Sequence, residues 1–197
     1  MNVRTCSVSL ALISLLALAP SLARAGDAAD AFKTKHDRLV ELVDQDASDA
    51  TLGSVIDGLI DYHHLAESSL GGPDNYAKVC GDRCAEFEAL LTQLIRANYL
   101  RMARQINEHP LAQIEDVEGR GGVHKVTTKV KVERNGRERL VTVEYVMHQV
   151  DGSWQVRDII TDEVSLARTY RHEFAKIAKA EGIDGIIRRL EEKLADS

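Results

Sequence analysis

The sequence predicts an α+β fold, in which an antiparallel sheet carries helices on one face and is preceded by a helical segment. Three observations predict it. Apolar residues recur at helical spacing between residues 27 and 107. Apolar and polar residues then alternate with a period of two, around the tight-turn pairs Asn135–Gly136 and Asp151–Gly152. Helical spacing returns after Ser165.

The helices predicted for the first half are amphipathic. Residues 27–46 place their apolar side chains on one face, a shorter helix follows Asp49, and a longer helix extends over about residues 83–107. The sequence Gly-Gly-Pro at residues 71–73 breaks the chain before the long helix. The helical part is therefore expected to span residues 27 to about 110.

The second half, residues 111–197, is predicted to be a meander of strands followed by two helices. A first strand is expected near Ile114 to Glu118. Ser165 is expected to cap the first closing helix, Gly182 to end it and Asp184 to cap the second. The strands have one apolar and one polar face, as in a half-covered sheet. Their apolar positions are Val126, Thr128, Val130, Val132, Val141, Val143, Tyr145, Met147, Trp154, Val156 and Ile160.

Residues 1–25 have the features of a secretory signal peptide. Arg4 precedes an apolar run that ends at Leu18, and the small-x-small triplet Ala23-Arg24-Ala25 follows. The run is short for a membrane span, although a retained N-terminal anchor is the alternative. Cleavage after Ala25 would leave a mature domain of residues 26–197, exported across the inner membrane to the periplasm.

The charge of the exported chain argues against several classes of partner. Arg4 and Arg24 are the charged residues of residues 1–25, so their removal changes the net charge from −6 to −8. An acidic surface disfavours nonspecific nucleic-acid binding and docking on anionic lipid by charge alone.

Cys80 and Cys84 remain after export of the chain. An oxidising compartment favours a disulfide between them over two free thiols, and such a bond would pin a loop or a helix start. A redox role is disfavoured because the spacing is not Cys-x-x-Cys. A zinc site would need two further ligands, and only His63 and His64 are near in sequence.

The order of motifs in the second half resembles the MlaC family of periplasmic phospholipid-binding proteins, also called toluene-tolerance auxiliary proteins. The stretches DGSWQVRDII, EVSLARTYRHEF and GIDGIIRRL, which begin at Asp151, Glu163 and Gly182, carry the resemblance. Upstream, LAESSLG from Leu65, CAEFEALL from Cys84 and Tyr99 also fit. The segment Gly71–Cys84 departs from the family pattern, so the loop expected there lies outside the resemblance.

The resemblance implies a nuclear-transport-factor-like sheet joined to a helical subdomain, with a deep apolar pocket for the acyl tails of a phospholipid. It implies no catalysis and no cofactor, since the phospholipid is cargo. It also implies a shuttle between two membrane partners that maintains outer-membrane lipid asymmetry. One partner is an outer-membrane lipoprotein–porin complex; the other is an inner-membrane ABC transporter complex with a membrane-anchored lipid-binding subunit.

The apolar sheet face and the face of the first closing helix are the expected lining of that pocket. Aliphatic and aromatic side chains suit fluid acyl chains, which need shape and no hydrogen bonds. The same stripes are compatible with a solid core in a purely structural protein, so the lining is a hypothesis. The expected lipid contacts are Leu94, Val130, Val132, Val143, Tyr145, Met147, Val156, Ile160, Tyr170, Phe174 and Ile177.

An enzyme on the same type of sheet, acting on a small apolar substrate, is the alternative. It would require Asp158, His148 and Tyr145 to lie at one cavity. Asp158 is instead expected to have a structural role near the sheet edge, paired with a neighbouring arginine. The sequence contains no metalloprotease, Walker or serine-hydrolase motif, and no metal site is expected.

Overall fold

The computed structural model describes residues 27–106, 111–118, 120–134 and 137–196. The expected signal peptide and the expected Asn135–Gly136 turn lie outside the described residues. The helices are α1 (Asp27–Asp44), α2 (Asp49–Asp57), α3 (Tyr62–Ser69), α4 (Pro73–Cys80), α5 (Cys84–Arg104) and α6 (Leu166–Ala195). The strands are β1 (Leu111–Glu118), β2 (His124–Arg134), β3 (Arg137–Val150), β4 (Ser153–Thr161) and β5 (Val164–Ser165).

The five strands form one curved antiparallel sheet in the order in which they occur along the chain. The predicted α+β class is confirmed. β1 begins at Leu111, three residues before the strand expected at Ile114, because its pairing with β2 reaches Val130.

The register of the sheet defines an inner face, the face toward α1. Tyr145 of β3 lies opposite Val126 of β2 and Ile159 of β4, and the ring centroids of Tyr145 and Phe32 of α1 are 4.3 Å apart. Side chains alternate along a strand, so residues an even number of positions from Tyr145 in β3 share this face.

A β-bulge in β4 changes which residues point inward. Val146 pairs with Asp158 and Met147 pairs with Val156, which leaves Arg157 as the extra residue. Because the bulge shifts the alternation by one position, Ile159 lies on the inner face with Val156. The expectation that Ile160 lies there is wrong, since Ile160 pairs with Glu144 on the opposite face.

The helical half is attached to the free edge of β4 through the connection between α2 and α3. Ile60 forms a parallel bridge with Val156. The backbone N–H of Asp61 donates to the Val156 carbonyl at 2.9 Å, and the Val156 N–H donates to the Leu59 carbonyl at 2.7 Å. These two hydrogen bonds fix the position of Leu59 and Ile60 against the inner face of the sheet.

The closing helix α6 packs mainly on α3 and α5. The ring of Phe174, almost fully buried, meets the Phe87 ring of α5 edge-on at 5.7 Å and stacks on Tyr170 at 5.4 Å. Thus the apolar face of α6 completes a core between helices. The two closing helices expected from the sequence are the two parts of α6, which are separated at Gly182 (φ 67°, ψ −162°), the residue predicted to end the first of them.

Replacement of Gly182 by alanine is expected to lower the free energy of unfolding by about 1–3 kcal/mol, because this backbone conformation is essentially restricted to glycine. Urea denaturation of the variant measures the loss. Gly58→Ala is the matched control, since Gly58 has a right-handed helical conformation that alanine adopts readily. Equal unfolding midpoints for the two variants would show that the break is not under this constraint.

The segment Gly71–Cys84, expected to be a loop, contains the helix α4. Pro73 occupies its first turn, where a missing N–H costs nothing. Tyr76 donates its hydroxyl proton to Glu88 Oε2 at 3.0 Å and so ties α4 to α5. The Sγ atoms of Cys80 and Cys84 are bonded across the turn between the two helices, with their Cα atoms 4.7 Å apart.

A variant with Cys80 and Cys84 both replaced by alanine is expected to lose about 2 kcal/mol of stability, because a small loop is no longer closed in the unfolded chain. Urea denaturation with and without a reducing agent measures this. Reductant should destabilise the wild type by a similar amount and leave the variant unchanged. Indifference of the wild type to reductant would contradict the disulfide.

Candidate functional site

A cavity of about 340 Å³ lies between the inner face of the sheet and the helices α1, α2 and α5. Its walls are almost entirely aliphatic and aromatic. The lining residues are Phe32, His36, Leu39, Ile56, Leu59, Ile60, Tyr99, Met102, Ala103, Gln105, Ile106, Val130, Val141, Val143, Tyr145, Val156, Ile159 and Thr161.

The inner end of the cavity is built from elements that are held rigidly. Ile60 and Val156, joined by the parallel bridge, are 4% and 0% exposed. The Phe32 ring of α1 closes one side against Tyr145. Because their backbones are hydrogen-bonded, these residues form a preformed apolar wall, as small-molecule sites generally have.

Two tyrosines line the cavity without introducing charge. Burial raises the pKa of Tyr145 to about 12, although its hydrogen bond with Thr128 opposes this shift. Burial also raises the pKa of Tyr99. Both phenols therefore stay neutral near pH 7. A lining with neutral polar groups, and with no carboxylate among the described residues, suits a ligand that needs burial and no ion pair.

His36 is the titratable group of the lining whose ordinary pKa is nearest to neutral pH. Its Nδ1 is buried, accepts no hydrogen bond within the described residues and lies 3.7 Å from Asp37 Oδ1. Burial lowers the pKa of His36; Asp37 opposes this shift and Lys33 adds to it. Since the folded pKa lies below the unfolded value, the unfolded chain binds the proton more tightly.

Wild-type stability is therefore expected to fall as the pH falls below about 6.5, and His36→Gln should reduce this loss. Urea denaturation between pH 8 and pH 5 measures the effect. His63→Gln is the control of opposite sign, because Glu88 raises the pKa of His63 and this ion pair stabilises the fold at low pH. A His36→Gln variant with the wild-type pH profile would contradict the burial of a neutral imidazole.

The mouth of the cavity lies at the C-terminal end of α5 and the outer end of the sheet. Met102 is 55% exposed, Gln105 and Thr161 are exposed, and Val130 and Val141 are half-buried. The exposed Met102 shows that the apolar lining continues to the surface.

The structure brings only some of the residues predicted from the sequence to this cavity. Val130, Val143, Tyr145 and Val156 line it. Side chains that lie elsewhere are those of Leu94, Met147, Ile160, Tyr170, Phe174 and Ile177; that of Val132 is outside the description. All eleven lipid contacts remain predictions. For Tyr170, Phe174 and Ile177 the reason for the placement is that α6 packs on α3 and α5.

The residues of α1, α2 and α5 that line the cavity are not among the lipid contacts predicted from the sequence. Phe32, Leu39, Ile56 and Met102 belong to stripes that the sequence indicates as apolar, and His36 interrupts the stripe of α1. A histidine on an otherwise apolar face was the one available signal that α1 borders something other than a solid core.

The alternative catalytic group is not assembled. Asp158 Oδ1 accepts the backbone N–H of Ala167 at 3.0 Å, and Oδ2 accepts the Ser165 hydroxyl at 2.6 Å, so this carboxylate caps the start of α6. The expected arginine partner is replaced by these donors. His148 Nε2 is 2.8 Å from Asp61 Oδ2. Of the three residues only Tyr145 lines the cavity.

Two absences hold for the part of the chain that the structure covers. No group of three or more His, Cys, Asp or Glu side chains is placed to hold a metal ion. No helix there has the length and apolar character to cross a membrane.

The fold and the cavity define a class: an α+β protein whose helix-covered antiparallel sheet encloses an apolar binding site. The MlaC family, described as MlaC protein, matches residues 30–192, and the chain belongs to this family. The structure is similar to that of the phospholipid-binding protein from Ralstonia solanacearum, solved in complex with a phospholipid.

That likeness has a TM-score of 0.65 at 18% sequence identity and covers 87% of this chain and 98% of the other. At this identity it supports the fold. Comparison with curated protein sequences gives no match.

Proposed function

We propose that this chain is a periplasmic phospholipid carrier. It holds an acyl chain of the phospholipid in the cavity between α1, α5 and the inner face of the sheet. The apolar cavity itself carries the proposal, since it offers hydrocarbon surroundings that remain open to the surface at Met102. Membership of the MlaC family and the phospholipid in the Ralstonia protein support the choice of ligand.

The volume of the cavity is appropriate to an acyl chain. An apolar cavity of about 150 Å³ binds benzene, so by the same proportion this cavity of about 340 Å³ accommodates roughly 14 carbon atoms, about one acyl chain. Burial of that many methylene groups contributes about 11 kcal/mol, at about 0.8 kcal/mol for each. A second tail would need additional space at the mouth.

The carrier is proposed to exchange lipid between an inner-membrane ABC transporter complex and an outer-membrane lipoprotein–porin complex. A carrier of this type needs no cofactor and no catalytic group, because burial of the tail lowers the cost of crossing water. The energy for extraction or release would come from the membrane partner.

The proposal is tested by native mass spectrometry of residues 26–197 purified from the periplasm of a Gram-negative host. We expect a bound species with the mass of a phospholipid, and loading of the delipidated protein from phospholipid vesicles. A protein that carries no phospholipid after purification and takes up none from vesicles would refute the proposal.

A further inference from the structure

Within the described residues, strands β2 and β3 continue beyond the rest of the sheet at the cavity mouth. The described part of β1 pairs with β2 as far as Val130, and β4 pairs with β3 as far as Val143. Beyond these points, residues 131–134 and 137–139 form a two-stranded ribbon, here called the mouth ribbon. The segment 131–139 has four basic and two acidic residues in a chain of net charge −6.

Two arginines of the mouth ribbon lie on the face that continues the cavity wall. Val141 lines the cavity, and alternation along β3 places Arg139 and then Arg137 on the same face. At about 3.4 Å per residue, the Cα of Arg139 is about 7 Å beyond that of Val141. Lys131, opposite Leu140, belongs to the other face.

The charges around the mouth differ from one side to the other. Arg137 and Arg139 are both exposed to solvent. On the opposite side, the C-terminal end of α5 presents carbonyl groups, which disfavour an anion. Of the two basic residues in that last turn, Arg104 is held by Asp49 at 2.6 Å, and Arg101 donates to the side-chain oxygen of Asn98 at 2.6 Å. The mouth ribbon is therefore the side on which an anionic group is attracted.

We propose that Arg137 and Arg139 bind the phosphate of the lipid whose tail occupies the cavity. This inference rests on the proposed function and identifies where the head group lies. Guanidinium groups donate paired hydrogen bonds in the geometry of phosphate oxygens. The arginines also offset the repulsion between an anionic head group and an otherwise acidic protein, so the ribbon selects phosphate-bearing lipids over neutral ones.

The test compares a lysophosphatidylglycerol with the monoacylglycerol of the same acyl chain, titrated below micelle-forming concentrations into delipidated protein by calorimetry. We expect the double variant Arg137→Gln/Arg139→Gln to bind lysophosphatidylglycerol about tenfold more weakly and monoacylglycerol unchanged. The matched control is Lys129→Gln/Lys131→Gln, which removes two charges from the other face of the same strands and should bind both lipids like the wild type.

Several results would overturn the assignment. The first is an unchanged affinity of the arginine variant for lysophosphatidylglycerol. The second is an equal loss of its affinity for monoacylglycerol. The third is an equal loss of affinity for lysophosphatidylglycerol in the lysine variant. Binding of inorganic phosphate alone as tightly as the lysolipid would assign the site to free phosphate. If the arginine variant binds both lipids like the wild type but no longer sediments with phosphatidylglycerol vesicles, the mouth ribbon would be assigned to membrane docking. If the wild type binds neither lipid, the proposed function itself fails.

Discussion

Val143→Trp is expected to lower phospholipid loading more than tenfold while the protein stays folded. Val143 lies on the inner face of β3 and lines the cavity. The indole adds seven non-hydrogen atoms, which by comparison with benzene in about 150 Å³ would fill about half of the cavity. Because the ring enters empty space, its burial should maintain or raise stability. The lipid-to-protein ratio from native mass spectrometry measures the loss.

Val164→Trp provides the matched control for this variant. Val164 is 61% exposed on β5 and does not line the cavity, so the same chemical change there should leave loading unchanged. If Val143→Trp has the same lipid-to-protein ratio and the same urea unfolding midpoint as the wild type, the acyl tail does not occupy this cavity.

Phe174→Ala is expected to lower the free energy of unfolding by about 3–5 kcal/mol, the range found when a buried phenylalanine is truncated. The Phe174 ring is 1% exposed and lies between Phe87 and Tyr170, so its removal leaves a void between α5 and α6. Chemical denaturation measures the loss.

The more conservative Phe174→Leu keeps most of the side-chain volume and separates stability from binding. We expect it to be folded and to load phospholipid like the wild type, because Phe174 does not line the cavity. If a stably folded Phe174→Leu protein loads less phospholipid than the wild type, the apolar face of α6 contributes to the binding site, as the sequence pattern suggests.

The sequence predicts the sheet well because a period of two has few interpretations. Alternation in β2 and β3 correctly identifies Val130, Val143 and Tyr145 as inward residues. It fails in β4 at the bulge. The two adjacent isoleucines, Ile159 and Ile160, are equally apolar, so composition does not reveal which of them points inward once Arg157 is inserted.

The cavity is less predictable because an apolar stripe does not specify its partner. The stripes of α1 and α6 look alike in the sequence, but α1 faces the sheet across the cavity and α6 packs on other helices. That difference arises from tertiary contacts, among them the Ile60–Val156 bridge and the cap that Asp158 provides to α6. Neither contact has a local sequence signal.

The position of the acyl chain is tested most directly by photo-cross-linking with a phospholipid that bears a diazirine near the end of one tail. After loading and irradiation, peptide mass spectrometry locates the label. We expect labels at the inner end of the cavity, on the peptides that contain Phe32, Ile60 and Val156. Labels concentrated on the peptide with Tyr170 and Phe174, or only on exposed surface residues, would contradict it.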